Sequence, residues 1–217
     1  MPDFGNLLLF IVALAFSVSF HEFSHGWMAD KLGDPTARIA GRLTMNPLAH
    51  VDPVGTLLLP GIMYLVAGVL FGYAKPVPVD PRNLRDPRWD NLKVSLVGPF
   101  SNLVLALISA VLLGLFAAYV GMDNAVGQLL AMMVGLNCSL FIFNLLPIPP
   151  LDGSWILDSA LPREAYNVYQ QIKPWGFFIL IIIMLVPPLN AVLIGIPRRA
   201  LYSVFTQVAQ SVAGAVA

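Results

Sequence analysis

Charged residues are scarce in this chain, and their scarcity argues against a soluble globular protein. Asp, Glu, Lys and Arg make up 11% of the 217 residues, whereas a soluble domain usually contains about 25%. The formal net charge is zero, so there is no basic excess of the kind that binds nucleic acid. Hydrophobic residues account for 58%, and the mean hydropathy is +0.77. The composition predicts a polytopic protein that lies in a lipid bilayer.

Cysteine is nearly absent as well. The single cysteine, Cys138, lies inside an apolar run and has no partner in the chain, which argues against a disulfide framework. The length suits one domain, and we expect residues 1–217 to form a single unit.

Long apolar runs are what the sequence has instead. A helix that crosses a bilayer core needs about 20 apolar residues, and four runs meet this length: 6–28, 94–120, 125–146 and 175–196. We therefore expect an all-α polytopic membrane protein with about four full transmembrane helices.

Two further segments complete the predicted fold. The run 54–72 contains Pro60 and Gly61 near its middle, so it either re-enters from one side or forms a fifth spanning segment. The tail after Arg198 has apolar residues at helical spacing, which predicts a C-terminal amphipathic helix at an interface.

The motif HEFSH carries the strongest chemical signal. It follows directly on the first apolar run, and ionisable groups at membrane depth are costly enough to require a reason. On a helix, His21 and His25 lie on one face, one turn apart, and can reach a single tetrahedral zinc ion. Glu22 then lies beside the open coordination position, as a general base does. The alternative is a pair of histidines that hydrogen-bond between packed helices.

A catalytic zinc site with two histidines needs a third protein ligand. Asp152 stands out because it follows the proline-rich stretch Pro147-Ile-Pro149-Pro150, which ends the apolar run 125–146 and draws the chain out. An alternative role for Asp152 is to cap a helix that begins near Ser154. The other candidates are His50, Asp52, Asp158 and Glu164.

Three motifs together resemble the site-2 protease family of intramembrane zinc metalloproteases. They are HEFSH, the stretch from Gly98-Pro99 to Asn102, and the stretch from Asn144 through LLPIPP to Asp152, and they occur in the family's order. The segment 46–55 is similar to the one that follows the first motif in small bacterial and archaeal members. The resemblance covers nearly the whole chain.

The resemblance implies one zinc ion per chain, bound by His21, His25 and Asp152. It also matches Asn102 and Asn144 to asparagines near the family's active site, where each could hold substrate backbone, support an oxyanion or bond between helices. His50 and Asp52 either touch the site or cap the start of 54–72.

The expected activity is endopeptidase cleavage of a transmembrane protein substrate. Glu22 would take a proton from water during attack on the scissile carbonyl and pass it to the leaving amine. The substrate bond would have to be unwound, because a helical peptide bond is shielded by its own hydrogen bonds. A divalent-metal transporter and a non-catalytic zinc-binding membrane scaffold are the alternatives.

The distribution of basic residues predicts the orientation. The ends of the runs 6–28 and 125–146 can meet if 54–72 re-enters, and then ten of the twelve Lys and Arg residues lie on the side of the motifs. Only Arg198 and Arg199 would lie opposite. If 54–72 spans, the division is seven to five. Basic residues favour the cytoplasm, so we expect the site to open to the cytoplasm, in the cytoplasmic membrane of a prokaryote.

Overall fold

The structure, a computed structural model, describes residues 4–58, 62, 75–121 and 124–216. These residues form helices and connecting segments, without a strand among them. The α-helices are α1 (Phe4–Lys31), α2 (Thr36–Ile39), α3 (Trp89–Tyr119), α4 (Ala125–Asn144), α5 (Asp152–Ala160), α6 (Arg163–Ile172), α7 (Gly176–Leu185), α8 (Pro187–Asn190) and α9 (Ile196–Val216). Short 3₁₀ helices occur at Pro47–His50, Pro81–Asn83 and Lys173–Trp175, and π-helical turns at Pro53–Leu58 and Ala191–Gly195.

Four helical stretches are long and apolar enough to cross a membrane, which confirms the prediction of an all-α polytopic membrane protein. Their bounds are Leu8–Lys31, Trp89–Tyr119, Ala125–Asn144 and Arg163–Leu185. The predicted run 94–120 is part of a longer helix, because α3 already begins at Trp89 and continues through Pro99.

Three of these helices form the centre of the bundle. α1 runs antiparallel to α3: Ala29 shares a cluster with Val94, and His21 meets Asn102 eight residues further along α3. α4 runs back along α3, since it begins soon after α3 ends and its Phe141 meets Phe100 of α3. It is therefore parallel to α1, which it touches where Asn137 bonds Ser17 at 2.9 Å. The end of α1, the start of α3 and the end of α4 therefore lie together. We call this the histidine end of the bundle.

Both flanks of the segment 54–72 lie at the histidine end. The Lys75 N–H donates to the carbonyl of His50 at 2.9 Å, and the Arg42 guanidinium donates to the Lys75 carbonyl at 2.8 Å. Most of the segment itself lies outside the described residues, so its own course stays a prediction. The meeting of its flanks is the arrangement that the re-entrant alternative requires.

The C-terminal part is packed differently from the sequence prediction. Gly176, at the start of α7, lies against Pro149, and Leu180 is buried with Leu146 and Leu151 in the turn after α4. From Pro187 the chain is helical almost without interruption to Val216. The apolar face of α9 is buried against α3 and α4, so the amphipathic helix is confirmed while its apolar stripe is covered by protein.

The direction of α9 changes the expected place of two arginines. Tyr202 lies beside Gly135 of α4, and Ala209 lies beside Gly114 further along α3, so α9 runs in the direction of α3, away from the histidine end. Arg198 and Arg199 line a cavity of about 390 Å³ with Ala131, Gly135 and Tyr202. Arg198 and Arg199 therefore lie part-way along α4, and not at the end of the bundle opposite to the histidines. The chain turns back along the bundle between α7 and α9.

Candidate metal centre

His21 and His25 lie within the last three turns of α1 and point to one place. Their ring centroids are 4.6 Å apart with planes at 81°, and their Nε2 atoms are 3.0 Å apart. Both side chains are buried. The spacing of four residues produces this arrangement because it returns to the same helix face after about one turn.

Asp152 completes the group from another element. It is the first residue of α5, and its carboxylate oxygens lie 3.1 Å from His21 Nε2 and 3.2 Å from His25 Nε2. Four ligands at tetrahedral angles and zinc bond lengths near 2.0 Å are separated by about 3.3 Å. Each Nε2 atom thus lies at nearly this distance from the other Nε2 and from one oxygen of the carboxylate, so the three side chains can share one metal ion. Buried Asp152 Oδ2 has no hydrogen-bond partner among the described residues.

Hydrogen bonds at the far side of each ring set the protonation that a metal ligand needs. His21 Nδ1–H donates to Asn102 Oδ1 at 2.7 Å, and His25 Nδ1–H donates to the carbonyl of Val94 at 2.7 Å. With the proton held at Nδ1, the lone pair of each ring lies at Nε2, facing Asp152. Such partners orient a ligating histidine and raise its basicity.

Two glycines provide the space in which the group forms. A Cβ at Gly98 would lie 2.2 Å from His25 Nε2 and 2.8 Å from His21 Cε1. A Cβ at Gly153 would lie 2.3 Å from the carbonyl oxygen of Leu146. Gly98 therefore lets α3 approach the imidazoles, and Gly153 lets the start of α5 pack on the turn after α4. Neither role could be predicted from the sequence, because each depends on how distant segments pack together.

Glu22 follows His21 but its carboxylate is fixed from outside α1. Its Oε2 accepts a hydrogen bond from the main-chain N–H of Val77 at 2.7 Å. Val77 is buried although it lies in an irregular segment. No signal in the sequence pointed to Val77, because a main-chain donor leaves no mark on the residue type.

Of the remaining predicted site residues, Asn102 contacts the metal group, and the others do not bond to it in the described part of the chain. Asn102 touches the metal group through His21, and its Nδ2 is buried without a hydrogen-bond partner in the described part of the chain. Asn144 ends α4, and its side chain makes no hydrogen bond within the same described part. His50 Nε2 bonds the Thr44 carbonyl at 2.9 Å, and Asp52 Oδ1 accepts the Gly55 N–H at 2.7 Å.

His50 and Asp52 are thus engaged in the segment that precedes 54–72. Asp52 caps the helical turn that begins at Pro53, as one of its two predicted roles requires. The group of potential metal ligands that the described residues form consists of His21, His25 and Asp152.

Comparison with known proteins gives a consistent result. The model of Peptidase family M50 matches residues 9–128 and 117–187. Three relatives carry the name "Putative zinc metalloprotease". YwhC of Bacillus subtilis is 40% identical over 183 residues, covering 82% of this chain and 80% of the relative. Rip2 of Mycolicibacterium smegmatis is 34% identical, covering 86% and 70%. MJ0611 of Methanocaldococcus jannaschii is 30% identical, covering 77% and 84%. No solved structure matches the chain.

Proposed function

Because the chain belongs to peptidase family M50, the site-2 protease family of zinc metallopeptidases, we propose that it cleaves a peptide bond inside the membrane. The substrate is an unwound transmembrane segment of another protein. The observation that carries the proposal is the convergence of His21, His25 and Asp152 within an apolar helical bundle. Glu22 follows His21 directly in the sequence. A hydrolytic site inside such a bundle can reach peptide bonds within the membrane, which soluble proteases cannot reach.

The residues of the site divide the chemistry between them. His21, His25 and Asp152 hold zinc, which when bound polarises the scissile carbonyl and lowers the pKa of water. Glu22 accepts the proton of the attacking water and returns it to the leaving amine. Asn102 keeps His21 in the tautomer that presents Nε2. Asn144 supports the substrate backbone from the end of α4.

The position of the basic residues supports entry of the substrate from the cytoplasmic side. The histidine end carries the connecting segments 32–50 and 75–88, which contain six of the twelve Lys and Arg residues of the chain, and Lys31 and Lys93 adjoin these segments. Basic connecting segments favour the cytoplasmic side, so the site opens to the cytoplasm of a prokaryotic cell. Water and substrate meet near this end, and residues 1–217 act as a single catalytic unit.

Replacing Glu22 with Gln tests the proposal. Cells with the wild-type chain and cells with Glu22→Gln are compared by quantitative membrane proteomics, and we expect a single-span protein to accumulate in the variant. The purified variant keeps one zinc per chain, since Glu22 is not in the ligand group. The matched control is Glu164→Gln, which changes the other glutamate of the chain, an exposed residue on α6.

The outcomes separate the functions. A metal transporter keeps its ion flux when Glu22 is changed, and a zinc scaffold loses nothing. The proposal is wrong if no membrane protein accumulates and the purified wild-type chain cleaves none of the single-span proteins of the same membrane.

A further inference from the structure

The segment from Lys75 to Val79 lies over Glu22 and offers it one donor. Its sequence is Lys-Pro-Val-Pro-Val, and the two prolines have no N–H. Val77 therefore provides the only main-chain N–H between Lys75 and Val79, and this N–H donates to Glu22 Oε2 at 2.7 Å. Among the described residues it is the hydrogen bond that the Glu22 side chain accepts.

Several contacts hold this segment in place. The Lys75 N–H donates to the His50 carbonyl at 2.9 Å, and the Arg42 guanidinium donates to the carbonyls of Lys75 at 2.8 Å and Pro76 at 3.4 Å. The donor at Val77 is thus attached to a backbone that is itself fixed immediately upstream.

The side chain of Val77 packs against α1 and holds the segment on that helix. It is 7% exposed, and its Cγ1 lies so close to α1 that a Cβ at Gly26 would be 3.0 Å away. Gly26 is one turn after Glu22 on the same helix. The segment is therefore seated on the helix that carries Glu22, and its N–H cannot drift relative to the carboxylate.

A glutamate without such a partner would be free to turn. Its side chain has three rotatable bonds, and the carboxylate must take one orientation beside the histidines to reach the attacking water. A misplacement of about 1 Å at a reacting group can lower a rate on the order of 100-fold. One fixed oxygen leaves the other available for the proton.

We propose that Val77 is a positioning residue, whose main-chain N–H holds Glu22 Oε2 and thereby orients the general base. The proposal rests on the proposed function. The segment Lys75–Val79 is then part of the reaction site through its backbone, and Pro76 and Pro78 leave Val77 as the one main-chain donor at this place.

Val77→Pro removes the N–H, and Val77→Ala keeps it. Both full-length variants are purified in detergent and assayed on the single-span protein that accumulates with Glu22→Gln. We expect kcat of Val77→Pro to fall about 10- to 100-fold, with KM and zinc per chain unchanged. We expect kcat of Val77→Ala to fall less than that of Val77→Pro, because Val77→Ala loses the γ carbons that seat the segment on α1 but keeps the N–H. Equal kcat values for the two variants, or a higher kcat for Val77→Pro, would overturn the proposal.

Hydrogen exchange tests the same bond without activity. A peptide covering 75–78 reports the Val77 N–H, because Pro76 and Pro78 have no N–H and the amine of its first residue does not retain the label. We expect this N–H to exchange at least about tenfold faster in Glu22→Ala than in wild type, since its acceptor is gone, whereas Glu22→Gln retains a carbonyl acceptor and the protection. Unchanged exchange in Glu22→Ala refutes the bond, even if Val77→Pro fails to fold. A wild-type chain that cleaves nothing refutes the proposed function and leaves this result readable.

Discussion

Gly98→Ala is the smallest change that the metal centre should not tolerate. The new methyl group would lie 2.2 Å from His25 Nε2, 2.4 Å from His25 Cε1 and 2.8 Å from His21 Cε1. Carbon and nitrogen atoms in contact are ordinarily separated by about 3.5 Å, so a gap of roughly 1 Å must be opened. Either the His25 ring turns away or α1 and α3 separate at this level.

The magnitude follows from how little movement zinc accepts. Ligand distances in a zinc site hold within about 0.2 Å, and a shift of roughly 1 Å removes His25 from coordination. In the metal-free chain the ring can rotate aside, so the strain falls on the zinc-bound state. Overpacking by one methyl group costs about 1–3 kcal/mol, which corresponds to a zinc affinity roughly 5- to 150-fold weaker.

Zinc affinity is measured by competition with a chromogenic chelator, and zinc per chain by elemental analysis. The control is Gly135→Ala on α4, where the added Cβ would meet only Tyr202 ring carbons at 3.7 and 4.0 Å. We expect the control to match wild type in both measurements. If Gly98→Ala binds zinc as tightly as Gly135→Ala, the close approach of α3 to the imidazoles is refuted. The arrangement of the metal centre described above is then refuted as well.

Three further changes test the rest of the centre. Asp152→Ala should abolish stoichiometric zinc binding, while Asp158→Ala on the same helix, whose carboxylate pairs with Lys173, should leave zinc in place; equal zinc contents would contradict the assignment. Asn102→Leu should weaken zinc about 10- to 100-fold by titration, and Asn102→Asp, which keeps an acceptor for His21, should weaken it far less. Gly153→Ala should lower the thermal unfolding midpoint as well as zinc affinity, because its Cβ would meet the Leu146 carbonyl at 2.3 Å, and an unchanged midpoint would argue against that contact.

Much of the metal centre could be predicted because its chemistry is local. The spacing of His21 and His25 determines their common helix face, and the proline run before Asp152 marks where the chain leaves α4. The order of the three motifs supplied the pairing of these distant elements. The structure brings the three side chains together as the sequence analysis proposed.

The contacts that support the centre could not be predicted in the same way. Val94 and Val77 bind His25 and Glu22 through main-chain atoms, so their residue types do not indicate these contacts. The closeness of Gly98 to His25 depends on how two helices separated by a long stretch of sequence pack together. The bounds of the last span could not be predicted either, because α6 mixes polar with apolar residues: the sequence analysis placed this span at 175–196, and the structure has it at Arg163–Leu185.

The direction of the outer helices decides where the chain can be labelled. α1 reaches the histidine end from Phe4, and α9 leaves it toward Val216, so both of these residues lie at the face of the bundle remote from zinc. A fluorophore or affinity handle attached at either residue would stay clear of substrate entry. Reporters placed there would register opposite membrane sides from one placed at Lys75, which makes the orientation readable from whole cells.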